Sequence, residues 1–341
     1  MKTAPVKDTQ LQVRDLLMGF VVSRAVQVAA ELGIADALAH GPLDSAPLAA
    51  KTGTHANTLV RLIRYLESYG IFEQCADGRY ANTPMSEFLR VDVQGSLRGL
   101  SMMFGDALIW RAWEGLGHSV RTSEAGFSHV HGAPMFDYLA NHPASATCFD
   151  AAMVSSSNML NSAIVDAYDW KQFSVLVDIG GGVGSTLAAV VEATPDLRGV
   201  LFDLPHVIER GRDFLAARGL SGRCLTMPGS FFDSVPQEGD AFLLKHILHD
   251  WSDGDCISIL NACRNAMHVH AKLLVCEKVI LPGNERSYAK LMDLVMLTLT
   301  EGGRERTQDG FANLFSAAGL RLLRIVPTRG DNSILEAVRI G

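Results

Sequence analysis

Residues 175–184 read VLVDIGGGVG, and this stretch decides the fold. A short, β-branched apolar run ends at Asp178. Three consecutive glycines follow, then Val183 and Gly184, and then an apolar helical pattern from Ser185 to Glu192. The reading is strand, tight glycine turn, helix. Glycine lets the backbone take positive φ and come close to a ligand. The first N–H groups of the next helix are left free to face the turn. Such a turn at the carboxyl end of a strand is where open α/β sheets bind ligands.

A dinucleotide fingerprint, G-x-G-x-x-G, does not fit, because its last glycine falls on Ser185. The pattern that fits is D-x-G-x-G-x-G, from Asp178 to Gly184. It resembles the S-adenosylmethionine loop of Rossmann-type methyltransferases, whose ligand has no pyrophosphate to cradle. Asp203 stands 23 residues after Gly180. A carboxylate about 20 residues past the glycine turn takes ribose hydroxyls. From Phe173 onward strands and helices alternate, with strands expected at 175–179, 200–202, 224–227, 241–247 and 272–279. That is a parallel, doubly wound, Rossmann-like sheet. The loop between 320–326 and 333–339 is too short for a helical crossover, so these two segments are expected as an antiparallel hairpin at the sheet edge.

The chain has 341 residues, 48% of them hydrophobic and 20% charged, an ordinary globular balance with ample core. A net charge of −7 argues against a nucleic-acid or anionic-membrane binder. The six cysteines form no C-x-x-C pair and no zinc spacing, so they read as reduced thiols of a cytoplasmic protein. The first 20 residues carry no signal-peptide pattern, and no apolar run of membrane-spanning length occurs.

Residues 11–39 have helical apolar spacing, interrupted at Gly33, with a broad stripe from Leu16 to Leu32. A stripe this wide needs a cover, which predicts a homodimer. A short helix ending at Gly53, a second at 57–69, and a hairpin of 71–75 and 79–81 around Asp77-Gly78 make a winged-helix pattern. Its alternative reading is a DNA-binding regulator. From Ala50 to Arg90, however, five basic residues face four acidic ones, too little charge for a phosphate-binding surface. Residues 96–165 are rich in Met and aromatics, which divide between core and an adaptable apolar pocket.

The fourth strand runs into Lys245-His246-Ile247-Leu248-His249-Asp250-Trp251. Histidine is the side chain suited to taking a proton near neutral pH. Alternation along the strand and turn directs His246 toward a helix packed on the sheet and His249 toward the ligand crevice. Glu277 ends the next strand and Glu305 lies in a GGRERT stretch, and either carboxylate can hydrogen-bond the far ring nitrogen of His249. After the third strand come Gly229-Ser230-Phe231-Phe232, where an aromatic can lie on adenine with Ser230 near its amine.

The assembled pattern is similar to the small-molecule O-methyltransferases of plant caffeate and flavonoid pathways and of bacterial antibiotic pathways. The marks are VDIGGGVG, FDLPHV (202–207), HDWSD (249–253) and GGRERT (302–307). The resemblance implies His249 as general base with Glu277 and Glu305 supporting it. It also implies S-adenosylmethionine contacts at Gly180, Asp203, Gly229, Ser230, Phe231 and Lys245. Plant members usually carry an acidic residue where Ser230 stands, whereas bacterial relatives often look like this sequence. The expected organisation is a helical winged-helix dimerisation domain at 1–95, a helical region lining the substrate pocket at 96–165, and the methyltransferase domain at 166–341. The expected reaction is methyl transfer to a phenolic hydroxyl of a small aromatic molecule without a metal. N-methylation, or hydroxylation or decarboxylation assisted by the same cofactor, is the alternative chemistry.

Overall fold

The structure is a computed structural model that describes residues 9–340, with the backbone alone of Asn158 and Met159. The chain divides into two compact units. One runs to Ala107 and includes Ala151–Ser156; the other comprises Leu108–Asp150 and the chain from Ser157 onward.

The first unit begins with helices Thr9–Leu17 and Gly19–Glu31. The sequence predicts one helix up to Gly33, and the chain breaks at Met18 as well. Helices Ser45–Thr52 and Ala56–Glu67 follow, then the antiparallel pair Phe72–Gln74 and Tyr80–Asn82. Gly53, with φ of 65°, ends the first of these helices in the left-handed conformation that glycine reaches without strain. Ile34, Leu48, Ile63, Leu66 and Phe72 are fully buried in the core of this unit. By contrast Leu16 and Leu17 are each 71% exposed, and Phe20 is 58% exposed.

The second unit holds a seven-stranded sheet. Its strands are β1 (Val175–Ile179), β2 (Arg198–Asp203), β3 (Cys224–Pro228), β4 (Ala241–Lys245), β5 (Lys272–Glu277), β6 (Leu320–Pro327) and β7 (Ser333–Arg339). The spatial order is β6-β7-β5-β4-β1-β2-β3. The first five strands are parallel, and their runs, such as Ala241–Leu244, are buried on both faces. β7 pairs antiparallel with both β5 and β6, the expected hairpin. β4 is two residues shorter than its apolar run predicts, because His246 takes φ of 53° and turns the chain out of the ladder. The carboxyl ends of β1 to β5 therefore deliver Gly180, Asp203, Gly229, Lys245 and Glu277 to one edge. No helix among the described residues is long and apolar enough to cross a membrane. The six cysteines are free thiols.

Candidate active site

The glycine turn after β1 has positive φ at Gly180 (65°), Gly182 (60°) and Gly184 (83°). A Cβ on Gly181 would lie 2.6 Å from Asp178 Oδ2, so glycine is required there. Asp203 braces the turn: its Oδ2 accepts the Gly182 N–H at 2.8 Å and its Oδ1 accepts the Leu204 N–H at 2.7 Å. Burial pushes the Asp203 carboxyl up against the pull of these two donors. Asp178 is buried, and its Oδ2 has no hydrogen-bond partner. Burial raises its pKa to about 7 although the Lys245 ammonium pulls it down. Lys245 Nζ donates to Ser157 Oγ at 2.9 Å, and burial lowers its pKa.

Across the crevice edge, Phe231 and Phe232 each meet Trp251 edge-on at 82°, with centroids 6.0 and 4.8 Å away. Ser230 Oγ accepts the Phe232 N–H at 3.2 Å, which fixes the turn after β3. Gly229 sits where a Cβ would meet the Phe202 ring at 2.4 Å. Phe136 also stacks on Trp251, centroids 6.0 Å apart at 18°, and meets Phe149 at 88°. The sequence singles out neither of these two from the many Met and aromatic residues around them.

His249 lies in the 3₁₀ turn Leu248–Asp250 that follows β4. Its Nδ1 is 2.9 Å from Glu305 Oε1 and 3.8 Å from Glu277 Oε2. The sequence leaves the two glutamates interchangeable, and the fold separates them. Glu305 takes the hydrogen bond. Glu277 Oε1 accepts the Ile247 and Leu248 N–H groups at 3.0 Å each and holds the turn. With a carboxylate opposite it, Nδ1 carries the proton in the neutral imidazole, whose Nε2 then has the lone pair. Burial alone would lower the pKa of His249. The charges of Glu277 and Asp250 and the hydrogen bond to Glu305 outweigh it and raise the pKa to about 9. Burial also raises Asp250, to about 6, against the pull of His249.

The sequence shows no spacing of metal ligands, yet the fold gathers one donor atom each from His249, Glu277 and Glu305 within 4.8 Å of one another. The 2.9 Å Nδ1–Oε1 separation matches a charge-assisted hydrogen bond.

His246 does not point toward a helix, as strand alternation predicts. Its ring stacks on His249 with centroids 5.3 Å apart. Its Nε2 accepts from Asn332 Nδ2 at 2.8 Å and from Lys278 Nζ at 3.3 Å. The left-handed backbone at His246 resets the alternation, which a pattern read on the sequence alone cannot register. Burial and the neighbouring Lys278 and Lys245 charges hold its pKa well below the usual histidine value, so it is a neutral acceptor.

A family model for the O-methyltransferase domain matches residues 113–321, and one for the O-methyltransferase dimerisation domain matches 14–92. The phenazine O-methyltransferase PhzM of Lysobacter antibioticus is 41% identical over 94% of each chain. The crystal structure of LaPhzM, 40% identical, superposes with a TM-score of 0.92 over 98% of this chain and all of that one. The O-methyltransferase NcsB1 from neocarzinostatin biosynthesis, solved with S-adenosylmethionine and 2-hydroxy-5-methyl naphthoic acid, is 33% identical. It superposes with a TM-score of 0.77 over 93% of this chain and 96% of that one. The chain belongs to the O-methyltransferase family.

Proposed function

We propose that this O-methyltransferase moves the methyl group of S-adenosylmethionine to a phenolic hydroxyl of a small aromatic natural product, with His249 as general base. The observation that carries the reading is a buried imidazole whose Nδ1 is bonded to Glu305 at 2.9 Å at the carboxyl edge of a sheet that also presents the glycine turn. The experiment is incubation with S-adenosylmethionine and a panel of phenols, followed by mass spectrometry. The expected product is one methylene heavier than the phenol; a panel with no such product, in a protein that binds the donor, would overturn the acceptor class.

The residues fit the donor. Glycines give backbone a close approach, and the unpartnered Asp178 Oδ2 takes a cationic group. Bound there, S-adenosylmethionine supplies an electrophilic methyl carbon on a sulfonium centre. Asp203 closes β2 beside the glycine turn and serves the ribose hydroxyls, with the Gly229–Phe231 turn beside the adenine. His249 Nε2 accepts the phenolic proton while Nδ1–H stays on Glu305, so the imidazolium that forms is already paired. A phenol titrates at about 10, close to the 9 of His249. Proton transfer between groups so nearly matched is close to thermoneutral. Phe136, stacked on Trp251 and met edge-on by Phe149, offers the acceptor ring an aromatic wall. The free cysteines suit a reducing, cytoplasmic setting.

Asp203→Ala is expected to weaken donor binding at least tenfold, because hydrogen bonds to a charged group are worth about 1.5–3 kcal/mol. Calorimetry with S-adenosylmethionine and S-adenosylhomocysteine checks it, and an unchanged Kd would remove Asp203 from the site.

Residues 1–95 serve dimerisation. Leu16 and Leu17 stand 71% exposed, and their own unit leaves them uncovered. Leu16→Glu with Leu17→Glu should weaken the homodimer by at least about 10²-fold, since each buried leucine contributes about 1.5–3 kcal/mol. Light scattering across a dilution series reads the change. A dimer of native affinity would place the interface elsewhere.

A further inference from the structure

One short stretch supplies Glu305 and also grips the turn that carries His249. The Arg304 N–H donates to His249 O at 2.8 Å. Arg306 Nη1 donates to Leu248 O at 2.7 Å, and Nη2 donates to Trp251 O at 2.9 Å. Nε and Nη2 also reach Asp253 Oδ1 at 3.0 and 2.8 Å, at the start of the helix Asp253–Ala266. The Arg306 side chain is only 4% exposed, whereas Asp253 is 51% exposed. Nη1 also reaches Arg304 O at 3.2 Å. The buried work of Arg306 is therefore done on three carbonyls, of which the two closer ones flank His249. Leu248 O receives further contacts from Cys256 Sγ at 3.1 Å and the Trp251 N–H at 3.4 Å, both longer than that of Arg306. The approach is close enough that a Cβ on Gly303 would lie 2.6 Å from His249 O. A guanidinium is a rigid planar fork able to hold two carbonyls and a carboxylate together, which an ammonium cannot do.

We propose that Arg306 is a positioning residue that locks the His249 turn onto the strand of chain bearing Glu305, so that base and partner move as one body. The proposal rests on His249 as the base. Arg306 touches no reacting atom; it acts through the carbonyls of residues 248 and 251.

A mutant cycle on kcat tests it. With His249 present, Arg306→Ala should lower kcat by about 10²-fold, the loss that an ångström of misplacement produces. In a His249→Ala background the same change should cost less than about twofold, because there is no base left to position. Arg306→Lys should restore part of kcat and move the acid limb of the pH profile to lower pH, as Glu305 slackens against Nδ1. If Arg306→Ala does not fold, Arg306→Lys carries the same cycle. Equal losses in both backgrounds overturn the proposal, as does a lysine variant with reduced kcat and an unmoved profile. If His249→Ala alone leaves kcat intact, the base assignment fails, and any loss from Arg306→Ala then arises by another route.

Discussion

Replacing His249 by alanine is expected to lower kcat by about 10²–10⁴-fold at pH 7 and leave donor affinity nearly intact. The turn that holds His249 is fixed by Glu277, Arg304 and Arg306 through backbone groups, which alanine retains. In the proposed role, the active form of His249 is the neutral imidazole. Because the folded pKa is raised to about 9, the native kcat/KM should rise with pH from 6 toward 9 and level off above it. The variant loses that limb and follows the ionisation of the phenol itself, near 10. Its activity should therefore recover in part at high pH, most for the more acidic phenols. Near-normal turnover at pH 7 would show that another group takes the proton or that alignment alone suffices.

Glu277 should show the largest effect on stability. Its Oε1 accepts two buried backbone N–H groups, and the carboxylate is fully buried. Glu277→Ala leaves both donors orphaned, a cost of about 2–6 kcal/mol at 1–3 each. Against a total stability of about 5–15 kcal/mol, thermal unfolding should shift by many degrees. Glu277→Gln keeps an amide oxygen for the same two donors and removes a charge whose burial is costly, so where His249 is neutral its Tm should stay near native. The glutamine variant nonetheless strips His249 of the strongest of the charges that raise its pKa. Its acid limb should move to lower pH. The linkage has a definite sign. A raised histidine pKa contributes stability in full below about 6.5, lost as pH rises through about 9, so the glutamine variant's loss from this pairing is largest at low pH and fades only as pH rises through about 9. Paired melting curves and pH profiles read both effects. A glutamine profile superimposable on native would show that the Glu277 charge does not act on the base.

The parts of this site written in local sequence were legible. Asp178, the glycines and Asp203 sit at strand ends whose spacing is fixed by a βαβ unit, so their placement at one edge follows from the period alone. The edge hairpin follows in the same way from a loop too short for a helix. Three features were not legible. Whether Glu277 or Glu305 bonds Nδ1 depends on how the 302–307 stretch packs against the β4 turn, which no spacing encodes. Alternation directs His246 away from His249 because it assumes extended backbone, and a left-handed non-glycine residue breaks that assumption. Arg306 sits inside a motif noted for its glutamate, and nothing in the sequence says that its guanidinium turns back to the carbonyls beside His249.

The threading of β7 has a consequence for how the enzyme is made. This strand follows all the others in chain order, yet it lies between β5 and β6, with Ser333 in register with Glu277. During synthesis β5 therefore emerges with β4 on one side and a bare ladder on the other. Its unpaired N–H and C=O groups remain available until residues 333–339 arrive and slide into place. That insertion joins segments distant in sequence, the slow kind of contact in a folding chain. On a crowded polysome the open edge of β5 is the place where neighbouring nascent chains would zip together.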